Sequence, residues 1–415
     1  MPVSMDGPLG PAAPAPRAPV LALPAAATEP PADPAASPVP GSGLAATPRP
    51  DGIDPGLAEM LEKLVERSPE RIPAPGLAVA VRFPDGRIWS GAAGSRRLSP
   101  ERPMEPGTVF AIASITKTFI AARVLQLVEE GRIELDERVG RYLPGMPAER
   151  SVTVRQLLAH RSGIADYFVS DGYLESVFDD RDRTWTPDEI LAWVGDPVCE
   201  PDACFHYSNS NFVILGLLIE EVTGRPLARE IRQSLLEPAG LDGIIFQPDD
   251  PTPRDAAHGH LWAGGRSFYD QSGNGPVVPH RSAVTAAWAA GAMAASAPDL
   301  ARWAALLYGG DLLGAGSRAA MTDARDGDGY GLGTRVDRFA DRRAVGHLGG
   351  IRGFVLAMWY FPESGISIVV LVNRGIASTE PTVKLVAKAV FERWGYTGGT
   401  EDPSPTASPA PSPAS

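Results

Sequence analysis

Ser114-Ile115-Thr116-Lys117 places a hydroxyl three residues ahead of an amine, where the apolar stretch Phe110-Ala111-Ile112-Ala113 gives way to a helical pattern. Positions i and i+3 of a helix share a face, so the Lys117 amine can approach the Ser114 oxygen. A serine hydroxyl is a weak nucleophile at neutral pH, and an adjacent base is the standard remedy. The chain's lysines are Lys63, Lys117, Lys384 and Lys388, and only Lys117 has a serine three residues before it. Two further clusters carry usable chemistry. Tyr207-Ser208-Asn209 sets a phenol and an amide just ahead of the helical run from Asn211 to Ile219, and Gly346-His347-Leu348-Gly349-Gly350 sets an imidazole in a glycine-rich stretch before strand-like sequence. Taken singly, each has a bland reading: a helix-capping serine, a core-edge tyrosine, a structural histidine.

Taken in order, S-x-x-K, Y-x-N and H-x-G resemble the penicillin-recognising serine hydrolases of the class C β-lactamase and D-Ala-D-Ala carboxypeptidase superfamily, and within it the secreted DD-carboxypeptidases. The resemblance runs from about Ile53 to Tyr396. It takes in Leu125-Gln126-Leu127-Val128-Glu129-Glu130-Gly131, the turn His160-Arg161-Ser162-Gly163-Ile164, and Gly329-Tyr330-Gly331-Leu332-Gly333. The chain has no G-x-S-x-G elbow, H-E-x-x-H helix or P-loop to compete with it.

The resemblance implies roles. Ser114 is expected to be the acylated nucleophile, with Lys117 its base or electrostatic partner. Tyr207 would carry the proton to the leaving nitrogen and later activate water. A phenol needs cationic neighbours for that work, and Lys117 and His347 are the candidates. Asn209 would bind a substrate carbonyl and help fix Lys117. His347 occupies a place where many of these β-lactamases carry lysine and several DD-peptidases histidine. Gly349 and Gly350 would line the substrate, with the backbone NH groups of Ser114 and Gly350 forming the oxyanion hole. Leu348 departs from the pattern: it stands where a Thr or Ser hydroxyl usually helps hold the substrate carboxylate. Arg335 matches a carboxylate-binding position and can compensate, or it is a solvent-facing strand arginine.

The elements that must position these groups are legible in outline. Leu57, Met60, Leu61 and Leu64 predict a helix over 55–68. Gly76 to Phe83, Pro84-Asp85-Gly86, then Arg87 to Ser90 reads as strand, turn, strand, and 354–360 with 366–372 reads as a second hairpin. Thr382 to Trp394 closes the core as a helix. Strands near both ends with helices between them predict an α+β fold. The resemblance implies the same layout: an antiparallel sheet flanked by terminal helices, an inserted mostly helical lobe, and a cleft between them. The stretch 251–282, rich in Gly, Asp and His, reads as long irregular chain at the cleft rim, where substrate selectivity is expected.

The ends differ from the middle. Residues 1–52 are dominated by Pro and Ala and read as a disordered arm; 398–415 read as a disordered tail, leaving 53–397 as one catalytic domain. A net charge of −12 and a pI near 5.1 argue against nucleic acid or an anionic membrane as partner. A peptide or other small substrate, no cofactor and a monomer are expected. His160, His206, His258, His260 and His280 lack ligand spacing, so no zinc or other metal is expected. No run reaches the roughly 20 apolar residues of a spanning helix. Arg17, Val20-Leu21-Ala22-Leu23 and Ala25-Ala26-Ala27 only sketch a secretory signal. Cys199 and Cys204, the two cysteines, read as a small disulfide loop, against the alternative of free thiols. A bridge would favour an extracytoplasmic or secreted home. The function expected is a D-Ala-D-Ala carboxypeptidase-like serine hydrolase. The alternatives are an esterase, β-lactamase or D-amino-acid amidase on the same machinery, and a penicillin-binding sensor that acylates without turnover.

Overall fold

The computed structural model describes residues 37–38, 44–46, 52–146, 151–264, 267–272, 277–324 and 327–394. Strands β1 (Leu44–Ala46), β2 (Gly76–Arg82), β3 (Ile88–Leu98), β4 (Arg335–Phe339), β5 (Arg342–Ile351), β6 (Phe354–Phe361) and β7 (Ile366–Val372) form one antiparallel sheet in the order β4-β5-β6-β7-β2-β3-β1, with Glu101–Pro103 paired to β3. The two ends of the chain meet in the middle of this sheet, where β7 pairs with β2.

Strand alternation explains how the sheet buries both faces. On β7, Ile366, Ile368, Val370 and Val372 pack on one side against helices α1 (Pro55–Glu66) and α5 (Glu380–Arg393), beside Leu57, Leu61, Val383 and Val386. Val369 and Leu371 face the other way, into the larger core that holds α2 (Thr116–Glu129), α3 (Asn209–Thr223) and α4 (Ala297–Gly309). Helix α1 starts where Asp54 accepts a hydrogen bond from Leu57 N at 2.7 Å and Pro55 fills the first turn. The α+β fold, the flanking terminal helices and the inserted helical lobe are therefore as expected.

Two expectations need correction. The stretch read as a disordered arm holds two strands: Ser37–Pro38 pairs with Ser267–Asp270, and β1 covers the edge of β3 with Leu44 opposite Ala93. Backbone pairing needs no apolar side chain, which is why a Pro/Ala composition did not announce it. The 251–282 stretch is likewise not wholly irregular, since His260–Gly264 and Ser267–Asp270 form a hairpin and Arg281–Ala287 a helix. The tail from 398 lies outside the described residues. Among the described residues, no helix is long and apolar enough to cross a membrane.

Candidate active site

Phe110–Ala111 pairs with Met293–Ala295, Ile112 N donates to Met293 O at 2.9 Å, and Met293 N donates to Thr116 Oγ1 at 3.1 Å. These bonds fix the chain entering α2 against the chain leaving Ala290. Ser114 sits on the single 3₁₀ turn Ala113–Ile115 that opens α2. Ala113, just before it, is held at φ 47°, a left-handed conformation that costs a non-glycine residue free energy and often marks a functional turn.

Lys117 Nζ is buried and donates three hydrogen bonds: to Ser114 Oγ at 3.0 Å, Asn209 Oδ1 at 2.8 Å and Ala290 O at 2.7 Å. Three acceptors satisfy all three ammonium protons. Burial nonetheless disfavours the charged form and brings the Lys117 pKa down to about 7, with Asp166 opposing this and Arg335 adding to it. The amine is thus available as a base at neutral pH, in contact with the hydroxyl it would deprotonate.

Asn209 begins α3 and passes this geometry on to a residue the sequence did not single out. Its Nδ2 donates to both oxygens of Asp166, at 3.2 and 3.0 Å, and its backbone N donates to Asp166 Oδ1 at 3.0 Å. The amide can then present only Oδ1 to Lys117. Asp166 is itself buried, with its pKa pushed up by that burial against hydrogen bonds from Phe168 and Asn209. Its sequence signal was position alone, two residues past the 160–164 turn. The Ala290 carbonyl left no side-chain signal at all.

Tyr207 lies ahead of α3, with Lys117 Nζ 5.2 Å and the Arg335 guanidinium carbon 6.0 Å from its ring centre. Its hydroxyl is buried with no hydrogen bond of ordinary geometry among the described residues, although the Ser114 hydroxyl is near enough to favour ionisation. Burial dominates and raises the Tyr207 pKa; Ser114 and Arg335 pull it down and Asp166 pushes it up. Tyr207 is therefore a neutral phenol at rest.

His347 is near but is not the cation expected. Its ring centre is 6.3 Å from that of Tyr207; Nδ1 faces the Leu348 carbonyl, and Nε2 lies 2.9 Å from the Tyr330 hydroxyl. A proton on Nδ1 and a lone pair on Nε2 satisfy both contacts. Burial, then Arg335 and Lys117, drive its pKa well below the usual value, so the second cation beside Tyr207 is Arg335. Arg335 opens β4 opposite Gly346, and no carboxylate pairs with it among the described residues.

Strand β5 carries the remaining groups. It pairs with β4 only through Gly346, so Leu348 to Ile351 leave the edge unpaired on that side among the described residues. Gly349 packs against the backbone of Ile112, where a Cβ would meet Ile112 O at 2.4 Å; Gly350 is exposed with open space beside its Cα. Leu348 is half-buried against the outer core of α1 and α5 rather than offered to the cleft.

The approach to Tyr207 is stiffened from behind. His160, at φ 56°, accepts a hydrogen bond from Ser208 N on Nδ1 at 3.1 Å, and its ring lies 4.1 Å from that of Tyr207. Cys199 and Cys204 are disulfide-bonded. Val198 N donates to Gly163 O at 2.9 Å, Asp202 N to Arg161 O at 2.8 Å and His206 N to His160 O at 2.9 Å, tying this loop to the 160–164 turn. Gly163, at φ 73°, is required there, because a Cβ would meet Cys199 O at 1.9 Å.

Comparison with known proteins agrees with this architecture. Residues 61–390 match the family described as Beta-lactamase. The chain is 26% identical over 303 residues to Penicillin-binding protein 4* of Bacillus subtilis, covering 69% of this chain and 65% of that one. It is 28% identical over 336 residues to a D-aminopeptidase of Brucella anthropi, covering 79% of this chain and 61% of the relative. This chain therefore spans less than two thirds of either relative's length. The D-stereospecific amidohydrolase from Streptomyces sp. superposes with a TM-score of 0.69 at 29% identity, covering 80% of this chain and 98% of that one. With the family match extending over residues 61–390, most of the chain, this chain belongs to the Beta-lactamase family.

Proposed function

We propose that this protein is a serine hydrolase that works through an acyl-enzyme on Ser114 and cleaves peptides ending in D-Ala-D-Ala or a closely similar D-residue. The observation that carries the acyl-transfer reading is the buried Lys117 amine, brought near pKa 7 and 3.0 Å from Ser114 Oγ. Neutral Lys117 takes the Ser114 proton as Oγ bonds to the substrate carbonyl carbon. The backbone NH groups of Ser114 and Gly350 hold the oxyanion. Tyr207 passes a proton to the leaving nitrogen as the C–N bond breaks and its electron pair stays on nitrogen. Water then attacks the ester, giving its proton to the same relay, and Ser114 recovers a proton as the C–O bond breaks.

Arg335 supports a carboxylate-bearing leaving group. It lies beside Tyr207, it has no carboxylate partner among the described residues, and Leu348 offers no hydroxyl for the task. An amidase reading has its own support in the D-stereospecific amidohydrolase fold neighbour. The Cys199–Cys204 bridge favours an extracytoplasmic home.

Ser114→Ala should abolish covalent labelling by a fluorescent penicillin or fluorophosphonate; labelling retained at another serine overturns the mechanism. Arg335→Ala should reduce kcat/KM for a D-Ala-D-Ala peptide roughly 10- to 150-fold more than for a neutral ester, the range of a charge-assisted hydrogen bond. Equal losses on the two substrates would remove the carboxylate and turn the reading to an esterase or amidase. Labelling without steady-state hydrolysis of any peptide, ester or amide would identify a sensor.

A further inference from the structure

Two cations lie past the far end of β5 from Arg335 and serve no group described so far. Arg352 occupies the turn between β5 and β6, two residues beyond Gly350. Its side chain crosses from the sheet to the helical lobe: the guanidinium carbon lies 4.4 Å from the ring centre of Phe178, on the short helix Tyr173–Asp179, and Nε donates to Gln271 Oε1 at 2.7 Å. Arg352 is half-buried, and no carboxylate pairs with it or with Arg181 among the described residues. Arg181 is exposed and close enough to act on both Arg352 and His280. His280 is buried and neutral, its pKa brought down to about 4 first by burial and then by Arg181.

A half-buried guanidinium normally finds an acid, because leaving it unpaired out of water is costly. Stacking on Phe178 and one bond to a neutral amide orient Arg352 while leaving most of its donors unused. Its position says what would use them. Gly346, opposite Arg335, and Ile351 at the end of β5 are five residues apart along an extended strand, which is roughly 17 Å, with Gly350 between them and Arg352 in the turn just beyond. A substrate laid along the open edge of β5 with its leaving group at Arg335 carries its acyl part toward Arg352.

We propose that Arg352, with Arg181 beside it, forms an anion subsite for the acyl part of the substrate, so that the enzyme prefers acyl groups bearing a carboxylate some distance from the scissile carbonyl. Gln271 and His280 place this subsite within the 251–282 rim. The proposal rests on acyl transfer at Ser114 but not on the peptidase reading, because the acyl part is common to peptide, amide and ester.

The test compares kcat/KM for the ethyl esters of N-succinyl-D-alanine and N-(3-carbamoylpropanoyl)-D-alanine, which share a neutral leaving group and differ in one acyl charge. Wild-type enzyme should prefer the succinyl ester roughly 10-fold or more, the lower end of what a charge-assisted hydrogen bond supplies. Arg352→Gln should erase most of that ratio and Arg352→Glu should invert it. The ratio is read on one preparation, so any general loss of folding or activity cancels. Ester turnover with equal rates in the wild type, or a preference that survives Arg352→Gln combined with Arg181→Gln, overturns the subsite and leaves acyl transfer standing. Preference for the succinyl ester alongside no hydrolysis of D-Ala-D-Ala peptides would support the subsite and overturn the peptidase reading instead.

Discussion

Lys117 shows how one residue's environment sets the chemistry. An amine with an ordinary pKa near 10.5 is almost wholly protonated at neutral pH, and burial among three acceptors brings it to about 7. The acylation rate should therefore rise with pH through a limb near 7 and level off above it, since the neutral amine is the active form. A pH profile of ester turnover checks this; a flat profile from pH 5 to 9 would remove Lys117 as the base. Stability follows the same shift. Between about pH 7 and 10.5 the unfolded chain binds more protons at this position than the folded one, so this contribution to stability increases as pH rises through that window. Tyr207→Phe should lower the acylation rate at least about 100-fold, and normal turnover in a folded variant would exclude the phenol as proton carrier.

At the scale of elements, the site is a junction of helix starts. Ser114 and Lys117 open α2, Asn209 opens α3, and the chain around Asp166 bridges the second of these by bonding the Asn209 amide and backbone together. Asp166→Asn should act in two ways. Loss of the carboxylate frees the Asn209 amide and should slow acylation roughly 10-fold, as expected for a charged hydrogen-bond partner. It also removes the charge that raises the Lys117 pKa, so the limb in the pH profile should move to lower pH. A rate loss with an unmoved limb would make Asp166 a purely structural anchor.

For the whole molecule, the sheet is assembled from chain ends more than 280 residues apart, and its β3 edge is closed by β1 from the N-terminal stretch. An uncovered strand edge promotes association. Removing residues 1–36 should leave Tm unchanged. Removing 1–50 strips β1 and should lower Tm by a few degrees or produce dimers and larger species. Thermal denaturation with size-exclusion chromatography reads both, and an unchanged Tm and monodisperse profile for the longer deletion would show that β1 contributes nothing.

The hairpins and the terminal helices were legible in the sequence because each is local, a periodicity or a turn; the fold class followed from their order along the chain, and the three clusters around Ser114, Tyr207 and His347 were legible because their order resembles that of a known family. The Cys199–Cys204 loop was legible as one of two readings. Tertiary structure decided what local pattern cannot encode. It brought the Ala290 carbonyl, which has no side-chain signature, to within 2.7 Å of Lys117. It buried Asp166 behind Asn209, and it made Arg335 rather than His347 the second cation beside Tyr207. Protonation state is set by desolvation and by charges distant in sequence, so a histidine and an arginine that look alike as candidates separate only once the chain has folded around them.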